Sequence, residues 1–118
     1  MKLSVTKIFH FEAAHHLPGY FGPCKNVHGH SYRLEVTATG TIDPTSGMLI
    51  DFTELGKLVK PLLERYDHCD LNNFFPMPTA ENMLLSFWET LHRREPRISS
   101  LRLYETASSF AEISNESE

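Results

Sequence analysis

His28-Gly29-His30-Ser31-Tyr32-Arg33-Leu34-Glu35-Val36-Thr37-Ala38-Thr39 reads as a single strand, and the fold follows from it. Tyr32, Leu34, Val36 and Ala38 alternate with Arg33, Glu35, Thr37 and Thr39, the period-two pattern of a strand buried on one face and wet on the other. Carried backward, the alternation puts His28 and His30 in register with the apolar face, since residues two apart on a strand point the same way. Residues 2–14 are also β-rich, with Phe9, Phe11 and Ala13 in one phase, and His15 closes that stretch. Three neutral imidazoles fit the protein ligands of a catalytic zinc site, which keeps its fourth position open for water or substrate. His15 and His16 are neighbours and point to opposite faces, so only one of them shares a metal with His28 and His30. Composition does not choose between the two.

The segment between these strands, Leu17–Asn26, holds Pro18, Gly19, Gly22 and Pro23 and reads as a loop. It carries Cys24, four residues before the first histidine of the pair. A small buried hydrophobe is the bland reading of such a cysteine. A thiol beside a cation, however, makes a usable general base or nucleophile, and a fourth metal ligand is a further possibility.

Downstream of the strand, Asp43-Pro44-Thr45-Ser46-Gly47 predicts a turn into a short strand, Met48–Ile50. The opening half of the chain is then a β-meander. Asp51 with Glu54 has the spacing of a helix capping box. Leu55, Leu58, Val59, Leu62 and Leu63 form one helical face, with Pro61 expected to kink it. After a loop over Tyr66–Pro78, Thr79 caps a second helix with the stripe Leu84, Phe87, Trp88 and Leu91, and Pro96 lies beyond its end. Ile98–Glu105 and Phe110–Ile113 read as closing strands. The expected class is α+β, an antiparallel sheet with two helices on one face. Residues 1–113 make a single domain and 114–118 a polar tail.

Two further sites bear on chemistry. In Asp67-His68, a carboxylate next to an imidazole can orient it for acid–base work near neutral pH, and the competing reading is an Asp that merely caps the turn. Glu105 shares phase with Leu101 and Leu103, so its carboxylate points where apolar side chains point. A buried carboxylate needs a partner. An internal cation such as Arg102 would serve, and so would a flat heterocycle presenting adjacent N–H groups. Cys69 has no comparable context and reads as structural.

The chain has 118 residues and a formal net charge of -4, with no basic run longer than Arg93-Arg94, which argues against a nucleic-acid partner. No apolar run approaches the ~20 residues that span a bilayer, and the amino terminus is too polar for a signal peptide. Two cysteines make no disulfide framework. The expectation is a cytoplasmic protein that binds neither nucleic acid nor membrane.

Taken in order, Phe11-Glu12-Ala13-Ala14-His15, Cys24-x3-His28-Gly29-His30, Ile50-Asp51-Phe52, Asp67-His68, Pro78-Thr79-Ala80-Glu81 and Glu105-Thr106 resemble the 6-pyruvoyltetrahydropterin synthase superfamily, over nearly the whole chain to about Glu112. Within it, the three residues between Cys24 and His28, together with Ile50-Asp51-Phe52-x-Glu54-Leu55, are most similar to the bacterial 6-carboxytetrahydropterin synthases of queuosine biosynthesis. The resemblance implies the tunnelling fold (T-fold), a small αβ subunit that assembles into a barrel-centred homohexamer of two trimers with active sites between subunits. It implies zinc on His15, His28 and His30, a pterin anchored by Glu105, Cys24 as base, and Asp67-His68 as a second proton relay. The implied substrate is 7,8-dihydroneopterin triphosphate. His16 stands where relatives often carry Arg. The competing expectations are the sister reaction that keeps the carbon–carbon bond, a zinc hydrolase, and a non-catalytic zinc- or pterin-binding module.

Overall fold

The computed structural model describes residues 2–20 and 22–115. Five strands form one mixed sheet in the order β3-β1-β2-β4-β5, with β1 Leu3–His15, β2 His28–Gly40, β3 Cys69–Asp70, β4 Ile98–Thr106 and β5 Ser109–Ser114. β1 and β2 pair antiparallel along their whole length, from Leu3 opposite Gly40 to His15 opposite His28. The alternation read from the sequence is the alternation found: Tyr32, Leu34, Val36 and Ala38 are buried beside Phe9, Phe11 and Ala13. Leu101 and Leu103 of β4 complete the same face.

Both helices cover that face. α1, Phe52–Glu64, starts where the Asp51 carboxylate accepts the Thr53 N–H at 2.8 Å, one of the orphan donors of a helix start. It buries Leu55, Val59, Leu62 and Leu63. The helix is continuous through Pro61, which lies on the exposed side. There the backbone acceptor that proline leaves unpaired is open to water. α2, Ala80–Arg94, is capped by Thr79 and buries Met83, Leu84, Phe87 and Leu91. Its last turn holds His92, Arg93 and Arg94, cations that suit the negative end of the helix dipole. Phe87 meets Phe11 edge-on at 6.4 Å, joining α2 to the sheet.

The expected short strand at Met48–Ile50 does not form. Its backbone groups are used elsewhere: Met48 O accepts the Asp43 N–H at 2.9 Å and Leu49 O accepts Arg97 Nη1 at 2.7 Å. Leu49 and Ile50 instead enter the core from a bend. The extra strand is β3, inside the stretch expected to be loop. It pairs parallel to β1 through Ala13–Cys69 and Ala14–Asp70, which makes the sheet mixed rather than wholly antiparallel. β5 runs one residue past the expected tail boundary, to Ser114 opposite Ser100. Of the rest of that tail, Asn115 donates its N–H to Ser99 O at 2.9 Å, and residues 116–118 lie outside the described residues.

Candidate metal centre and its surroundings

The β1–β2 register builds the histidine cluster. His15 is directly opposite His28 and Ala13 is opposite His30, so the three imidazoles share the helix-covered face. Directly opposed residues on one face of a sheet have Cβ atoms about 4.5–5.5 Å apart. One ring nitrogen from each of His15, His28 and His30 accordingly lies within 4.8 Å of the others. His15 is 1 % exposed, while its neighbour His16 points the other way and is not part of the cluster.

Backbone carbonyls set the tautomers. His15 Nδ1 lies 2.8 Å from Pro78 O, and His28 Nδ1 lies 2.8 Å from Asn26 O. A carbonyl only accepts, so both Nδ1 atoms carry the proton and both Nε2 atoms present lone pairs inward. Those two Nε2 atoms are 3.1 Å apart. Two lone pairs facing across that gap repel unless a cation lies between them. Nitrogens 2.0–2.1 Å from one tetrahedral ion are about 3.3 Å apart, so the donor set, its spacing and its outer carbonyl shell fit a bound metal. Burial is the largest influence on His30 and holds it below its ordinary pKa; His15 and His28 act in the same direction, and Glu105 opposes them. The third ring is therefore kept in the neutral form a metal needs. Tyr32, one step further along β2, places its hydroxyl 3.3 Å from His15 Nδ1. Burial, with the charge of Glu105 as a second cause, keeps that phenol protonated.

Glu105 reaches the same centre from β4, with Oε1 3.8 Å from His15 Nε2 and its side chain 31 % exposed. The pairing of β4 with β5 shifts here by one residue, from Tyr104–Phe110 to Thr106–Ser109, leaving Glu105 as the unpaired residue of a bulge. A bulge bends its strand and re-aims a side chain. Arg102, the internal cation that could have neutralised Glu105, points to the other face, where it pairs with Glu112 at 2.9 Å and Glu35 at 3.9 Å. Glu105 instead borders an open hollow of about 470 Å³ with His10, His30, Arg33, Tyr104 and Thr106.

Cys24, itself half-buried, sits in a single turn, Pro23–Lys25, whose other two residues are exposed. Its carbonyl accepts the Leu17 N–H at 2.7 Å, and two residues later Asn26 O holds His28. The cysteine loop is thus tied to a cluster ligand.

Asp67 and His68 stand apart from this group, at the outer edge of β1. The Asp67 carboxylate accepts the Glu12 N–H at 2.8 Å and lies 3.1 Å from His68 Nδ1, while the His68 N–H donates to Glu12 O at 2.5 Å. The Glu12 amide is the largest cause holding the Asp67 carboxyl below its usual range. His68 has a φ of 60°, left-handed for a residue that is not glycine, and its side chain is 77 % exposed. His68 borders a second hollow, of about 510 Å³, with Glu12, His30, Ser31 and Asp70. Within one chain the structure brings His15, His28, His30 and Glu105 together and leaves the Asp67–His68 pair at the rim.

Sequence reasoning missed Tyr32, Pro78 and Asn26 as parts of the site. Tyr32 was visible in principle, since it continues the phase of His28 and His30. The two carbonyls leave no trace in residue type.

A family described as 6-pyruvoyl tetrahydropterin synthase matches residues 4–116. A 6-carboxy-5,6,7,8-tetrahydropterin synthase of Haemophilus influenzae is 33% identical, over 92% of this chain and 96% of the relative. A 6-pyruvoyl tetrahydrobiopterin synthase of Poecilia reticulata is 30% identical, over 86% and 83%. The solved structure of the Caenorhabditis elegans 6-pyruvoyl tetrahydropterin synthase superposes with a TM-score of 0.89 at 27% identity, covering 98% of this chain and 96% of that one.

Proposed function

The chain belongs to the 6-pyruvoyl tetrahydropterin synthase family, and on that premise we propose that it converts 7,8-dihydroneopterin triphosphate and one water to 6-carboxy-5,6,7,8-tetrahydropterin, releasing acetaldehyde and triphosphate. The observation that carries the reading is the convergence of two inward Nε2 lone pairs, a third neutral imidazole and the Glu105 carboxylate on one centre. The Cys24-x3-His28 spacing and the relative from Haemophilus influenzae favour the carboxy product.

Zinc held by His15, His28 and His30 would supply Lewis-acid polarisation of the side-chain hydroxyls of the substrate. Glu105 accepts the adjacent N–H groups of the pterin edge and fixes its orientation, which is where much of the rate gain arises. Cys24 Sγ takes a proton from the side chain of the substrate. His68, oriented by Asp67, hands a proton back at a different carbon. The Glu105 anchor is what a hydrolase would not need.

The exposure of His68 and its place outside the three-histidine cluster support an assembly in which one subunit's His68 serves a neighbour's site. Apart from the stretch Glu12–His16, the outer edges of β1 and β5 have no neighbouring strand among the described residues. Such edges favour pairing with further copies, in keeping with a barrel-centred homohexamer. No helix among the described residues is long and apolar enough to cross a membrane; the assignment to the queuosine route in the cytoplasm rests on the resemblance of the Cys24–His30 spacing to the bacterial branch.

A 6-pyruvoyl product is the second reading, favoured by the relative from Poecilia reticulata. Mass spectrometry after incubating zinc-loaded protein with 7,8-dihydroneopterin triphosphate separates the two. A 6-carboxytetrahydropterin with acetaldehyde supports the first; a 6-pyruvoyl product moves the protein to the second. Absence of turnover with zinc bound refutes both.

A further inference from the structure

Asn72 has no part in the chemistry described so far, yet its side chain makes both backbone hydrogen bonds of one residue. Its Oδ1 accepts the His16 N–H at 2.9 Å and its Nδ2 donates to His16 O at 3.0 Å. An amide that satisfies both groups of a strand residue does what a neighbouring strand does. β3 ends at Asp70, and Asn72 carries its pairing with β1 onward. From Glu12 to His16 the outer edge of β1 is thereby gripped in series: Glu12 by Asp67 and His68, Ala13 and Ala14 by β3, His16 by Asn72.

The position of this last grip matters because the inner edge has run out. His15 opposite His28 is the final pair of the β1–β2 ladder, so His16 has no β2 partner. Strand ends with few hydrogen bonds open most easily, and here the last strand residue is the buried histidine of the cluster. Asn72 is itself pre-set: its N–H donates to the Asp70 carboxylate at 3.0 Å, and the adjacent Leu71 is fully buried. The two short bonds of the grip are to backbone; Asn72 Nδ2 also lies at a longer 3.5 Å from His16 Nε2, while the ring's Nδ1 is buried without a partner among the described residues.

We propose that Asn72 is a positioning residue of the metal centre, clamping the chain just beyond His15 so that His15 Nε2 stays aimed at the ion. The inference rests on the metal reading above. Its test compares the zinc affinity of the metal-stripped wild-type protein, Asn72→Ala, Asn72→Asp and Ile98→Val, by competition with a chromophoric chelator. Cobalt absorption spectra of each protein report the ligand geometry.

Outer-shell partners typically contribute 10- to 100-fold in metal affinity, so Asn72→Ala should weaken zinc binding about 10-fold or more and alter the cobalt bands. Asn72→Asp keeps the acceptor for the His16 N–H and loses the donor. It should fall between wild type and alanine, and it reads the clamp even where alanine unfolds the turn. Ile98→Val, a core truncation at the far end of the sheet, should leave both readouts unchanged. Wild-type affinity and bands in Asn72→Ala would overturn the proposal, as would an equal loss in Ile98→Val. If wild type takes up no zinc, the metal reading fails before any variant is compared, and the role of Asn72 fails with it.

Discussion

His15 Nε2 and His28 Nε2 face each other across 3.1 Å while the Nδ1 of each ring is bound to a backbone carbonyl. Neither ring can turn its other nitrogen inward without breaking its carbonyl hydrogen bond, which is buried for His15 and exposed for His28, so the centre is pre-set for a cation. A ligand that binds only the folded state stabilises it by about 2.7 kcal/mol at 100 times its Kd. Zinc should therefore raise the melting midpoint of the metal-stripped protein, and chelator should reverse the rise. His28→Ala should lose both the metal and the thermal response. Stoichiometric zinc in that variant, measured by elemental analysis, would refute its role as a ligand.

The environment of His30 gives the metal-free protein an acid-side weakness. Its pKa in the fold lies below 6.5, with burial as the main cause. As pH falls through about 6.5 the unfolded chain gains a proton that the folded chain refuses, so stability rises with pH in this window and drops as pH falls toward the lowered value. Urea midpoints of the metal-free protein should decrease from about pH 8 to pH 5, the interval in which histidine changes charge. His30→Gln should flatten that slope. A wild-type profile no steeper than the variant's would remove His30 as its source.

Cys24 is half-buried, and the loop is held through its carbonyl rather than its thiol. Cys24→Ala should keep the fold and the metal and lose turnover by about 10²- to 10⁴-fold, the usual contribution of a positioned proton-transfer group. Normal turnover with zinc bound would remove the base role.

The sheet and cluster were legible in the sequence because strands write themselves at period two. Phe9 to His15 and His28 to Ala38 each keep one phase, and pairing them fixes which histidines meet. His16 was left open by composition alone and is decided by the register of β1 on β2. What stayed hidden was set by backbone groups or by single residues. β3 spans only Cys69 and Asp70, too short for any periodicity, and Met48–Ile50 looked like a strand because bends can also bury Leu49 and Ile50. The bulge that turns Glu105 depends on how β4 meets β5, and neither strand reveals it alone.

That bulge defines a fourth expectation. Glu105 lies 3.8 Å from His15 Nε2 but is not held by Arg102, so its carboxylate is available to a ligand. Hydrogen bonds to a charged group contribute about 1.5–3 kcal/mol, and Glu105→Gln should lower kcat/KM by roughly 10- to 100-fold. Gln keeps the shape and loses the charge, so zinc content should be unchanged. Loss of the negative charge, which alone raises the His30 pKa, should also push that residue's titration further down, readable by NMR. A variant with wild-type kcat/KM would leave Glu105 without a substrate contact.

His68 offers the sharpest separation of activity from stability. Its φ of 60° is the left-handed conformation, which disfavours an ordinary residue by roughly 1–2 kcal/mol and which Asn tolerates best after Gly. The ring contributes little packing, being 77 % exposed, and the hydrogen bond that ties this position to Glu12 comes from the backbone N–H. The conformation is thus maintained by the chain, and the proposed proton transfer belongs to the side chain. His68→Asn should melt no lower than wild type, and the relief of strain should raise it. Turnover should nonetheless fall, because the group proposed to return the proton is gone. A variant that loses stability and keeps turnover would invert the assignment, making the imidazole a structural group and leaving the second proton transfer to another residue.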